Sequence, residues 1–292
     1  MNRLDEQYRA MLGEVLYNGV PKNDRTGTGT LSKFGMSIRH RMSDGFPILT
    51  TKKIAFKSLV TELKWFLKGD TNIKYLIDNN CNIWNGDAYK VYKRACDWEL
   101  DEALPMDKFI ERIKTDDQFR KTWGELGPIY GQQWKNWNGI DQISNLKKEL
   151  IDNPDSRRHI VSAWNVDKLK HMTLPPCHYG FQCYVADNKL SLMWQQRSAD
   201  LFLGVPFNIS SYGLLLLLLC EETGYEAGDL IGNFGDVHLY NNHLEQAKEQ
   251  ISRKPYDLPT FFLRNVYLLG GDFDIELVGY KSHPTIKAPL SN

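Results

Sequence analysis

The stretch Phe181-Gln-Cys-Tyr-Val-Ala-Asp-Asn-Lys-Leu-Ser-Leu-Met-Trp-Gln195 decides the fold. Phe181 to Ala186 and Leu190 to Gln195 have the composition of strands, and Asp187-Asn188 between them supplies a hairpin turn. His159 to Trp164 and Phe34 to Arg41 also read as strands. Helices surround them. Residues 2–19 place Leu4, Tyr8, Met11, Leu12, Val15 and Leu16 at helical spacing. Residues 55–68 do the same with Phe56, Leu59, Val60, Leu63, Phe66 and Leu67, and Gly69 stands where a helix stops. Tyr212 to Glu222 is apolar on nearly every face, so a buried helix is expected. The result is an α+β fold, a mixed sheet packed with helices, without the βαβ rhythm of a doubly wound sheet.

Working outward, no repeat, low-complexity stretch or linker divides the 292 residues. One catalytic domain over 1–292 is expected. Residues 86–122 are rich in Lys, Asp and Glu, with helical segments near 88–98 and 106–115, and read as an insertion on its surface. Hydrophobic residues make up 42% and charged residues 25%, the balance of an ordinary globular protein. The formal net charge is zero, so no general attraction to nucleic acid or membrane is expected. The longest apolar run, Leu214 to Cys220, is short of the roughly 20 residues of a membrane span. The opening Met1-Asn-Arg-Leu-Asp-Glu lacks the apolar core of a signal peptide, and a cytoplasmic location follows as an expectation. Cys81, Cys96, Cys177, Cys183 and Cys220 are odd in number and without CxxC spacing, so neither a disulfide framework nor a metal site is suggested. GxGxxG and GxxxxGK[ST] are absent.

Chemistry is concentrated in a few places. Cys177 follows two prolines that stiffen the backbone before the thiol. A small buried hydrophobe is the bland reading of it. As a nucleophile it needs a nearby positive charge. Successive strand residues point to opposite faces, so His178 is a poor partner and an arginine from elsewhere a better one. Arg25, Arg157, Arg158 and Arg197 each stand beside hydroxyl or glycine backbone donors, the mixture that binds phosphate oxygens. Taken alone, each reads more readily as a solvated surface arginine. Glu62 lies in the otherwise apolar helix 55–68 near Trp65. Partial burial there raises a carboxyl pKa into a range useful for proton transfer, and a glutamate at an amphipathic boundary fits the same pattern.

Leu174-Pro-Pro-Cys-His, followed by Gln196-Arg-Ser-Ala-Asp-Leu-Phe-Leu-Gly-Val-Pro-Phe-Asn-Ile-Ser-Ser-Tyr212, resembles the active-site signature of the thymidylate synthase family. The likeness continues through Lys22-Asn-Asp-Arg-Thr-Gly-Thr-Gly-Thr30, Phe66-Leu-Lys-Gly-Asp-Thr-Asn72, Leu126-Gly-Pro-Ile-Tyr-Gly-Gln-Gln-Trp134, Pro154-Asp-Ser-Arg-Arg158, Gly235-Asp-Val-His-Leu-Tyr240 and Ile286-Lys-Ala-Pro289.

The resemblance implies methylation of dUMP with 5,10-methylenetetrahydrofolate, giving dTMP and dihydrofolate. Cys177 would add to C6 of uracil. Glu62 would manage protons through water, and Tyr130 would lie near the proton-abstraction network. Arg25 and Arg197 would hold the phosphate with Ser198, joined by Arg157 and Arg158 of a partner in a sheet-to-sheet homodimer. Arg197 would also lower the Cys177 pKa. His238 and Tyr240 would bind the ribose hydroxyl, and Asn208 would read the uracil edge. Trp84, Asp200, Leu203, Gly204 and Phe207 would form the folate wall, with Asp200 bonded to the pterin.

Two positions depart from the family pattern. Asn85 stands where Asp is usual, and the polar Asn292 ends a tail that in the family closes over the site. Hydroxymethylation of the nucleotide on the same scaffold is therefore the alternative. A non-catalytic nucleotide- or RNA-binding regulator and a Cys-His hydrolase are further ones, disfavoured by the intact site residues and by strand geometry.

Overall fold

The computed structural model describes residues 2–99 and 102–290. Its strands are β1 (Val20–Lys22), β2 (Thr30–Arg41), β3 (Ile160–Ser162), β4 (His178–Ala186), β5 (Lys189–Asp200), β6 (Glu226–Tyr240), β7 (Thr260–Tyr267) and β8 (Asp272–Val278). The first six form one sheet in the order β1-β2-β6-β5-β4-β3, and β7 pairs with β8 apart from it. Within the six-stranded sheet β5 and β6 run parallel and the other pairs antiparallel. This is the mixed α+β sheet that the hairpin pattern leads one to expect. Asp187 and Asn188 both have positive φ, 49° and 59°, as a tight hairpin turn requires.

The helices are α1 (Arg3–Asn18), α2 (Phe56–Leu67), α3 (Lys74–Asp78), α4 (Asn85–Glu99), α5 (Met106–Thr115), α6 (Asp117–Trp123), α7 (Tyr130–Lys135), α8 (Gln142–Asp152), α9 (Gly204–Thr223) and α10 (Leu244–Ser252). The Asn2 side chain caps α1 by accepting the Asp5 N–H, and the helix buries Leu4, Tyr8, Met11, Leu12 and Val15. Helix α9 begins at Gly204, earlier than its apolar run suggests, and ends at Gly224 in the left-handed region. It is long and apolar enough to cross a membrane, but most of it is enclosed by the core. Leu214, Leu215, Leu216, Leu218 and Leu219 are fully buried there, each stabilising by about 1.5–3 kcal/mol.

Helices α4, α5 and α6 occupy the charged segment after Trp84. They are less superficial than their composition suggests. The Tyr92 ring lies 5.2 Å from Phe109, 5.4 Å from Phe119 and 5.3 Å from Trp123, so the segment carries an aromatic cluster of its own. Strand β6 is illegible by alternation because Gly228, Gly232 and Gly235 interrupt it. Gly232 has a packing reason: a Cβ there would stand 2.5 Å from the Trp194 ring. Trp194 in turn stacks flat on Tyr212 at 5.2 Å, which fixes β5 against α9.

Candidate active site

Cys177 immediately precedes β4, and its backbone is held from both sides. Its N–H donates to the Tyr130 hydroxyl at 2.7 Å, and its carbonyl accepts the Arg197 N–H at 2.9 Å. Arg197 also donates through Nε to the Pro176 carbonyl at 3.0 Å and through Nη2 to the Pro175 carbonyl at 2.8 Å. The two prolines thus offer carbonyls that seat the arginine beside the thiol. A bulge between His178 and Gly180 bends β4 just beyond.

The charge balance at Cys177 differs from the expectation that an arginine alone would settle it. Arg197 and Arg25 both favour the thiolate, but burial is the larger effect, and Asp87 and Asp200 oppose ionisation. The thiol therefore lies above its ordinary value. His178 is not its base, as the alternation of strand side chains leads one to expect. Its Nδ1 pairs with the Tyr212 hydroxyl at 2.8 Å, its ring stacks on Tyr130 at 4.2 Å, and burial lowers its pKa to about 3.

Glu62 faces the site from α2. Burial raises its carboxyl to about 7, and the Trp84 indole N–H donates to Oε1 at 2.8 Å. The Trp84 ring is 6.0 Å from that of Tyr130, whose hydroxyl is the one on Cys177. Glu62, Trp84, Tyr130 and Cys177 are thus a continuous wall.

Sequence reasoning passes over Gln196. The Trp194 indole N–H donates to Gln196 Oε1 at 3.1 Å, so Gln196 Nε2 points away and donates to Asn208 Oδ1 at 3.1 Å and to the Ser198 carbonyl at 3.1 Å. An indole nitrogen can only donate, and this fixes the orientation of both amides. Asn208 consequently keeps its NH2 group, which has no hydrogen-bond partner among the described residues, and a lone pair of Oδ1. Gln196 pairs with His178 across the sheet, one residue from Cys177.

Asp200 ends β5. Its Oδ1 accepts the N–H groups of Phe202 and Leu203, both at 3.0 Å, and caps the turn into α9. Among the described residues its Oδ2 has no hydrogen-bond partner and can receive a ligand N–H. Leu203, Gly204 and Phe207 follow on the first turn of α9, half-buried. Lys52, which no motif singles out, lies behind them. Its ammonium donates to the Phe202 carbonyl and sits 3.6 Å over the Phe202 ring, and burial lowers its pKa to about 7.

Among the phosphate candidates, Arg25 is exposed in the β1–β2 loop, within electrostatic reach of Cys177 and Tyr240. Ser198, His238 and Tyr240 lie on adjacent β5 and β6, with Asp200 opposite His238. Arg157 and Arg158 are not brought to this pocket. Both are exposed just before β3, the edge strand of the sheet, and neither is among the charges felt at Cys177. At the tail, His243 donates through Nε2 to the Pro289 carbonyl at 2.7 Å, and its ring lies 5.4 Å from Phe202 and 5.7 Å from Tyr240. The chain end is thereby tied to the wall of the site, while Asn292 lies outside the described residues. Asn85, at the start of α4, has a buried Oδ1 without a hydrogen-bond partner. No cluster of metal-type ligands occurs among the described residues.

A half-buried thiol with a pinned backbone, a carboxyl poised near neutrality and an amide of fixed orientation are the groups that covalent catalysis on a hydrogen-bonding ring would need. Comparison with known proteins makes this specific. The thymidylate synthase family model matches residues 6–292. The thymidylate synthase of Mycoplasma mobile is 51% identical over 98% of this chain and 99% of its own length. That of Listeria monocytogenes is 49% identical with the same coverage, and that of Staphylococcus haemolyticus 46% identical over 100% and 99%. The chain belongs to the thymidylate synthase family, and its class is methyltransferase.

Proposed function

We propose that the protein methylates dUMP to dTMP with 5,10-methylenetetrahydrofolate, and that Cys177 is its nucleophile. The observation that carries the reading is the Trp194–Gln196–Asn208 chain, which turns a donor and an acceptor toward a ring edge beside the thiol. Uracil matches that pair through O4 and N3–H. Cytosine, with an N4 donor and a bare N3, does not.

The folate fits the residues present: an indole, two half-buried apolar side chains and a carboxylate oxygen without a protein partner suit a flat ring with N–H donors. When bound, it supplies the one-carbon unit and the hydride. The chain's own groups do the rest. Cys177 forms a bond to uracil C6 and leaves C5 nucleophilic. Tyr130 holds the Cys177 backbone and stands near the proton leaving C5. Glu62, poised at about 7, takes and returns protons through water. Asp200 and the Trp84, Leu203, Gly204 and Phe207 wall orient the folate and keep water away. Arg25, Arg197 and Ser198 hold the phosphate, and His238 and Tyr240 the ribose.

Arg157 and Arg158 then serve a second copy of the chain. Their exposed position before the edge strand β3, apart from the charges at Cys177, favours this. An open concavity of about 650 Å³ lined by Phe34, Met36, Tyr179 and Phe234 gives the sheet a surface to pair, with Phe34 89% exposed. Sedimentation should give twice the 33.8 kDa chain mass. A fully active monomer would overturn the assignment. The five cysteines are unpaired, which suits the reducing cytoplasm.

The base choice is tested by substrate comparison. The wild type should consume dUMP and leave dCMP. Asn208→Asp should move preference toward dCMP by about tenfold or more, because a protonatable carboxyl matches the cytosine edge. Equal use of both nucleotides by the wild type would remove Asn208 as the selecting group.

A further inference from the structure

Residues 280–290 follow β8 without helix or strand, so contacts with the body of the protein must hold them. The His283 N–H donates to the Thr50 carbonyl at 2.8 Å, Arg253 Nη1 donates to the Pro284 carbonyl at 2.7 Å, and Ile286 is buried. Further out, His243 Nε2 donates to the Pro289 carbonyl at 2.7 Å. A carbonyl only accepts, so the imidazole proton is on Nε2 and Nδ1 carries the lone pair.

His243 is fully buried, and among the described residues its Nδ1 has no hydrogen-bond partner. Burying an imidazole with one nitrogen unmet opposes folding, and an apolar ring would fill the space without that cost. The one polar contact the ring makes is to the tail. Its faces and edges meet two aromatic rings, Phe202 at 5.4 Å and Tyr240 at 5.7 Å. The Phe202 N–H donates to Asp200 Oδ1 at 3.0 Å, and its carbonyl accepts from the Lys52 ammonium. The Tyr240 ring lies 5.3 Å from that of His238. A single side chain thus joins the tail to the Asp200 side of the pocket and to the His238 side.

We propose that His243 is a positioning residue: its Nε2–H seats the tail at Pro289 against the Phe202 side of the pocket, where the folate is bound. The fraction of time that the tail is seated then scales the apparent affinity for the folate, because only the seated form offers the complete surface. The tether follows from the geometry of the chain. Its effect on the folate rests on the nucleotide-and-folate reading above.

The test uses two substitutions of the full chain. His243→Phe keeps a ring against Phe202 and Tyr240 and loses the donor. His243→Gln loses the ring and keeps an N–H that can reach the same carbonyl. His243→Phe should resist urea at least as well as the wild type, since no unmet nitrogen remains. Trypsin should nevertheless cut after the exposed Lys287 about tenfold faster, read by intact mass, because cleavage follows the population of the released tail. The KM for 5,10-methylenetetrahydrofolate should rise about threefold, with the KM for dUMP unchanged because the packing on Tyr240 is kept. His243→Gln should return cleavage toward the wild-type rate. Wild-type cleavage or a wild-type folate KM in His243→Phe overturns the proposal, as does a His243→Gln protein cut as fast as His243→Phe. Should either variant not fold, nitrogen NMR of the wild-type imidazoles decides: a proton on Nδ1 of His243 overturns the tether, and one on Nε2 upholds it. Absence of dUMP turnover in the wild type beside faster cleavage of His243→Phe refutes the functional reading and leaves the tether standing. Turnover in the wild type beside unchanged cleavage does the opposite.

Discussion

The Cys177→Ser protein is expected to bind dUMP and to turn over essentially none of it. Serine is close to cysteine in size, so the backbone N–H donated to the Tyr130 hydroxyl and the carbonyl bond accepted from the Arg197 N–H should survive. A hydroxyl is a far weaker nucleophile at neutral pH than even a partly ionised thiol, and the loss should be at least about a thousandfold. Burial already holds the Cys177 thiol above its ordinary value. Arg197 and Arg25 can offset part of that only for a group able to ionise in this range, which serine is not. Dissociation constants for dUMP within a few-fold of the wild type would separate lost chemistry from lost binding. Retention of more than a few per cent of turnover would remove Cys177 from its role.

Glu62→Gln should divide activity from stability. Turnover should fall by about a hundredfold to ten-thousandfold, because the amide accepts the Trp84 N–H but cannot carry a proton. Stability should move the other way above neutrality. Burial raises the folded-state pKa of Glu62 from 4.5 to about 7, so the folded chain holds this proton more tightly than the unfolded one. That contribution is complete below about 4.5 and is lost as pH rises through about 7. Above that point the wild type carries a buried charge worth at most about 3 kcal/mol of destabilisation, which the glutamine lacks. Urea melts across this window should coincide at low pH and separate in favour of Glu62→Gln as pH rises. A gap that does not depend on pH would mean that Glu62 ionises like a surface carboxylate.

The elements that were legible in the sequence are those whose signal is local. The hairpin is written in Asp187-Asn188 and its flanks, α1 and α2 in their apolar spacing, and α9 in its leucine run. Strand β6 is not, because its glycines answer close contacts on β5, Gly232 with Trp194 and Gly235 with the Arg197 backbone, rather than an alternation of their own. Cys177 and Glu62 stand out as residue types in unusual company. Gln196 does not, because it acts by fixing the amide of Asn208 on α9 from strand β5. Lys52 is hidden for a similar reason, since only the folded chain puts Phe202 beneath its ammonium. Local patterns report which groups could react, and long-range packing sets what each one faces.

The reaction itself is tested by incubating the protein with dUMP and 5,10-methylenetetrahydrofolate and weighing both products. Methylation and hydroxymethylation share the Cys177 adduct and part only at the last step, where hydride or water is added. On the proposed function the apolar wall of Trp84, Leu203 and Phe207 excludes water, so hydride should prevail. The expected result is dTMP and dihydrofolate in equal amounts. Accumulation of 5-hydroxymethyl-dUMP with tetrahydrofolate would contradict it, and Asn85→Asp, at a buried Oδ1 without a hydrogen-bond partner, would then be the first substitution to make.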